Sequence, residues 1–172
     1  MTPDSPWLTD AQQRTWRRWL AVNDQLPAAL HRELQADSDL SLQDFDVLVK
    51  LTDDGEGRVR VSELASALHW ERSRLSHHVK RMEGRGLVRR EECADDGRGA
   101  FVVLTEAGRA AIERAAPAHV RTVRRLVFDV LSDQELAALD AITGKVLGQL
   151  ERDAAPESAA HRRRSGTERG RR

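Results

Sequence analysis

Residues 62–104 change their hydrophobic period in a set order. In SELASALHW the apolar side is Leu64, Ala65 and Leu68, and Ser62 stands where an N-cap would. In ERSRLSHHVKRMEG it is Leu75, Val79 and Met82, spaced by four and then three. Both are narrow stripes of a 3.6-residue helix. Two short helices with so tight a joint form a helix-turn-helix. The internal turn of that motif often carries a glycine; His69, Trp70 and Glu71 occupy it here. Gly84 and Gly86 then end the helix, LVRREE reads as a strand, CADDGRGA as a polar tip and FVVL as the returning strand. A hairpin placed directly after the second helix is a wing.

The rest of the chain is helical by the same test. Thr9 and Gln12 make a capping box ahead of Trp16, Trp19, Leu20, Leu26, Leu30 and Leu34, with a kink expected at Pro27. Ser41 can cap a second helix carrying Leu42, Phe45, Leu48, Val49 and Leu51. Gly55 and Gly57 make a turn before a very short strand at Val59 and Val61. Thr105 caps a long helix with Ile112, Ala116, Val120, Val123, Val127 and Val130 on one side and a bend at Pro117. Ser132 and Glu135 form another capping box, before Leu136, Leu139, Ile142, Val146 and Leu150.

The fold class is therefore mainly α with a small β-hairpin wing (α+β): a winged helix-turn-helix core flanked by long helices. Those helices are too long and too apolar for the small core to cover, so a homodimer held by the first and the last two is expected. A monomeric bundle is the alternative. The expected divisions are an N-terminal dimerisation helix over 1–36, a winged helix-turn-helix domain over 37–104, C-terminal dimerisation helices over 105–152 and a disordered basic tail over 153–172.

Charge narrows the partner. Formal net charge is zero, yet residues 71–90 carry a net of +5 and residues 33–56 a net of −7. Such segregation points to one face meeting a polyanion. The lone Cys93 excludes an internal disulfide framework and suits a reducing cytosol. No apolar run approaches the roughly 18 residues that span a bilayer, and MTPDSPWLTD lacks the pattern of a signal peptide. A cytoplasmic protein with no membrane partner is expected.

Three segments in consistent order, SELASALHWERSRLSHHVKRMEGRGLVRREE, DDGRGAFVVLTEAGR and APAHVRTVRRLVFDVLSDQELAAL, resemble the multiple-antibiotic-resistance regulator (MarR) family of winged-helix repressors. The resemblance covers roughly residues 9 to 150. It implies a homodimer that binds palindromic operators in double-stranded DNA and is often released by a small ligand or oxidant. It also implies that an Asp orients the wing arginine, a pattern Asp96 and Arg98 match.

On the helix over 72–82, turning Leu75, Val79 and Met82 inward leaves Arg74, His77, His78 and Arg81 outward. A major groove admits one α-helix, and arginine can donate two bonds to a guanine edge. Arg72, Arg74, His77 and His78 are the base-reading candidates. Ser62, Ser73, Ser76, Lys80 and Arg81 suit phosphates, which fix register without reading sequence. In the wing, Arg98 between glycines suits the narrow minor groove, and Arg89 lies on the basic strand leading to it. Against this stand a merely solvated charged face and a wing tip that pairs with nothing.

Trp16, Trp19, His31, Phe45 and Phe128 are candidates to line an effector pocket, with plain core or dimer contact as the alternative. Cys93 is either an incidental thiol or one made reactive by Arg89, Arg90 and Arg98. No metal cluster, cofactor loop or nucleophile motif appears, so neither an enzyme nor a metal site is expected. His77 and His78 point about 100° apart on a helix and suit no shared ion. The rival to a DNA regulator is a winged-helix protein-interaction module.

Overall fold

The computed structural model describes residues 6–92 and 100–167, with side chains to residue 154. The chain divides into two compact units, Met1–Arg124 and Arg125–Arg172. In the first, α1 (Asp10–Asp37) is followed by α2 (Leu42–Asp53), β1 (Arg58–Arg60), α3 (Val61–Ala67), α4 (Arg72–Gly84), β2 (Val88–Glu92), β3 (Ala100–Leu104) and α5 (Glu106–Val123). A π-helical turn, Arg124–Phe128, leads into the second unit, whose one α-helix is α6 (Asp133–Thr167). The element order is that of a winged helix-turn-helix with long flanking helices, as the hydrophobic periods predict.

Local chemistry sets the helix ends. Thr9 and Gln12 form the capping box of α1. Ser41 does the same for α2, with Asp44 returning the bond. Thr105 accepts from the Gly108 amide at 3.0 Å. Ser62 does not cap α3 as expected: the helix starts two residues earlier, at Val61, after an Arg60 with no side-chain cap bond, because β1 already ends at Arg60. Val61 is thus the first helical residue rather than part of a strand. Both α1 and α5 continue as single helices through Pro27 and Pro117.

The three strands form one antiparallel sheet in the order β1-β3-β2. Arg90 faces Val102 in β3, and Val59 faces the same residue from the other side. Val88, Val102 and Val103 are buried, while Arg89 and Arg90 at the outer strand are exposed.

One core gathers Leu34 of α1, Leu48 and Leu51 of α2, Leu64 of α3, Leu75, Val79 and Met82 of α4, and Ile112 of α5. Burying each large aliphatic side chain contributes about 1.5–3 kcal/mol. The start of α5 is fitted closely to the turn after α4. A Cβ on Gly108 would sit 2.0 Å from the Leu87 carbonyl oxygen, so only glycine allows that approach. In the second unit no described residue is buried, and Leu136, Ile142, Val146, Leu147 and Leu150 are exposed. The backbone of α6 continues past residue 152, where the sequence suggests a tail begins.

Candidate nucleic-acid interface

The joint between α3 and α4 is a built turn. The His69 amide donates to Ser66 O at 3.1 Å and the Trp70 amide to Ala65 O at 2.9 Å, the paired bonds of a Schellman motif. Its key residue needs a positive φ, and His69 supplies it at 52° where glycine is usual. The end of α4 repeats the motif with Gly86 at φ 72°, and Leu87 donates back to Met82 O at 3.0 Å. Buried Met82 and Leu87 make the apolar contact that accompanies such a cap. Helix α4 is therefore fixed at both ends and along one face.

Its outer surface carries Arg72, Ser73, Arg74, His77, Lys80 and Arg81, all exposed, with Ser76 half-buried. The Arg74 guanidinium lies 4.5 Å from the centroid of the Trp70 ring, a cation–π contact that holds it near the helix start.

His78 is a correction. It is 6% exposed and does not share the outer face with His77. The physical reason is helical phase: residue 78 lies three after Leu75 and four before Met82, inside the buried stripe. Its polarity is met from α2. His78 Nε2 lies 3.0 Å from Asp44 Oδ1. The separation is that of a hydrogen bond although the alignment is poor, and buried Nε2 has no better-aligned partner. Asp44 Oδ2 accepts from Arg85 Nη1 at 2.7 Å and from the Ser41 amide at 2.9 Å. Arg85 also donates to the Asp39 carbonyl. Burial alone would push the Asp44 carboxyl up, but its donors His78, Ser41 and Arg85 outweigh burial and hold it well below the carboxylate range. One acid of the −7 segment and two groups of the +5 segment are thus spent on each other.

Ser62 is half-buried at the start of α3, and its carbonyl accepts from the Ser66 hydroxyl at 3.0 Å. Arg89 is exposed, with Nη1 2.6 Å from Glu91 Oε1. Glu91 also accepts from Arg58 Nε at 3.0 Å, and Arg58 and then Arg89 hold its carboxyl below its ordinary value. Asp96, Arg98 and Cys93 lie outside the described residues.

Phe45 is buried in the core, its ring centroid 4.2 Å from that of His119 on α5. His31 Nδ1 accepts from the Leu42 amide at 3.3 Å, tying α1 to the start of α2. Trp16 and Trp19 are exposed on α1, the nearer about 18 Å along the axis from His31. Phe128 is exposed in the π-helical turn. A cleft of about 430 Å³ lies among Asp37, Asp39, Leu40, Arg85, Leu87, Ala111 and Arg114. A second, of about 290 Å³, lies over α4 and is lined by Ser41, Gln43, Trp70, Arg74, His77, His78 and Arg81. Among the described residues no three His, Cys, Asp or Glu side chains come together as a metal site, and no helix is long and apolar enough to cross a membrane.

Comparison with known proteins agrees with this geometry. The MarR family model matches residues 38–99. The HTH-type transcriptional regulator PecS of Dickeya dadantii is 32% identical over 108 residues, which are 62% of this chain and 64% of PecS. The chain thus spans a little under two thirds of that relative. AbsC of Streptomyces coelicolor, a MarR family transcriptional regulator, is 41% identical with a TM-score of 0.79, over 86% of this chain and 99% of AbsC. Sco3205 of the same organism, a MarR family transcriptional regulator solved in complex with DNA, is 39% identical with a TM-score of 0.79, over 85% of this chain and 91% of its own. The helix-turn-helix, the wing and the long flanking helices are those of these regulators, and the chain belongs to the MarR family of winged-helix transcriptional regulators.

Proposed function

We propose that the protein is a homodimeric repressor that lays α4 of each protomer into the major groove of a pseudo-palindromic operator. The observation that carries this reading is the outer row of α4. Arg72, Arg74, His77, Lys80 and Arg81 stand exposed on a helix whose opposite side is locked into the core by Leu75, Val79 and Met82. Arg72, Arg74 and His77 read base edges, while Ser73, Ser76, Lys80 and Arg81 hold phosphates. Arg98, oriented by Asp96, enters the minor groove beyond Arg89. The DNA complex of Sco3205 supports the same partner for a chain 39% identical to it.

Dimerisation is proposed from surfaces that single protomers leave bare. Trp16, Trp19, Leu20 and Val22 are exposed on α1, and Leu136, Ile142 and Leu150 on α6. Segments 1–36 and 105–152 then form the dimer, 37–104 binds DNA, and 153–172 adds a basic tail. Two α4 helices one helical turn apart, about 34–36 Å, match two half-sites and block polymerase. A small effector would release the dimer from DNA. The protein works in the cytoplasm and catalyses nothing.

The test is selection of bound fragments from genomic DNA by the purified chain, followed by affinity against salt. A palindromic site whose log–log salt slope is near −0.9 per phosphate contact is expected. No enriched site, with no duplex bound at low salt, overturns the reading in favour of a protein-interaction module.

A further inference from the structure

We propose that His78 is a positioning residue. From inside the domain it fixes the Arg81 guanidinium on the outer face of α4, with Asp44 of α2 as its backing. The inference rests on the DNA-binding reading and adds to it a residue that never touches DNA.

The hydrogen-bond inventory leaves one arrangement. Arg81 Nη2 lies 2.9 Å from His78 Nδ1. A guanidinium only donates, so Nδ1 must hold a lone pair. The ring proton is then on Nε2, the atom that faces Asp44 Oδ1 at 3.0 Å. Asp44 is free to receive it there because its other oxygen is taken by Arg85 and the Ser41 amide. One neutral tautomer therefore accepts from Arg81 above and turns its N–H toward the Asp44 carboxylate below, close to it but poorly aligned. A leucine in the same buried slot would fill the space and satisfy neither.

Arg81 itself is exposed and lines the cleft over α4 beside Arg74 and His77. An arginine in that position otherwise samples many rotamers and must be ordered on binding. Fixing it beforehand removes that cost, worth about threefold to tenfold in affinity for one long side chain. The same ring buttresses a second cation. Trp70, over which Arg74 lies, meets the His78 ring edge-on at 5.4 Å between centroids. The relay thus runs from the capping box of α2 to the groove-facing surface of α4.

Two measurements on the full chain test this. In the first, a random-sequence duplex of about three helical turns is titrated at low salt with wild type, His78→Leu, His78→Gln, Arg81→Ala and the double variant His78→Leu/Arg81→Ala. His78→Leu is expected to weaken binding about threefold to tenfold. Glutamine, which can accept from Arg81 and donate to Asp44, restores it to within about twofold. Without Arg81, His78→Leu has no further effect, since coupled residues are non-additive. An equal loss from His78→Leu with and without Arg81 marks a merely structural histidine and overturns the proposal. The second measurement needs no DNA: imidazole nitrogen NMR is expected to show the Nε2-protonated ring. A ring protonated on Nδ1 overturns the relay by itself. A chain with the expected tautomer that ignores every duplex overturns the DNA-binding reading, and with it the purpose assigned to Arg81, while the relay stands.

Discussion

Asp44→Ala removes the group on which α2 and α4 converge, and its cost can be worked from the contacts. The carboxylate is 4% exposed. It faces His78 Nε2 at 3.0 Å, takes Arg85 at 2.7 Å and closes the Ser41 capping box at 2.9 Å. Stranding the buried Nε2–H costs about 1–3 kcal/mol. Losing the reciprocal cap bond costs about 1 kcal/mol. Arg85 is 41% exposed and returns to water, so its share is about 0–1 kcal/mol. The sum is about 2–5 kcal/mol, in line with breaking other buried pairs. Urea unfolding followed by circular dichroism reads it as a lower midpoint at unchanged m-value. The acid dependence gives a second reading. Because the folded carboxyl is held below its ordinary value, its stabilisation is present above the unfolded carboxyl value of about 4 and is lost only as pH falls below that. The advantage of wild type over Asp44→Asn should therefore not shrink until the pH drops below about 4. A loss under about 1 kcal/mol for Asp44→Ala, or an advantage that fades between neutral pH and 5, refutes the reasoning.

Gly108→Ala drives a methyl group into the Leu87 carbonyl and should destabilise by about 1–3 kcal/mol, read as a fall in Tm. His69→Gly replaces a left-handed residue, φ 52°, with the one that adopts it freely; it should be neutral or stabilise by up to about 1 kcal/mol in urea titration. Arg74→Ala should cost about 1–3 kcal/mol on the selected operator and relax its sequence choice, whereas Lys80→Ala should weaken all duplexes alike and lower the salt slope by about one. Equal losses from both variants on operator and random DNA would contradict the division of roles.

Which features the sequence disclosed follows from what kind of signal each one sends. Leu75, Val79 and Met82 announce α4 because apolar spacing is a local code, and Gly84, Gly86 and Thr105 announce its surroundings for the same reason. His78 was hidden because polarity stood in for direction. The apolar stripe leaves an inner slot at position 78, and only an acid 34 residues earlier makes a polar ring welcome there. No pattern in the sequence links Asp44 to His78 or Arg85. The turn at His69 is legible but its left-handed backbone is not, because glycine usually fills that position, and Ser62 looks like the cap of α3 although Arg60, where β1 ends, takes that place. Likewise His119 joins the core through Phe45, a pairing of α5 with α2 that no local spacing encodes.

The most direct test of the central claim is amide NMR mapping of the chain as operator duplex is added. The account predicts the largest shifts at Arg72, Ser73, Arg74 and His77, with Leu48 and Leu51 in the core unmoved. Saturable binding that leaves those four amides in place and moves another surface would contradict it.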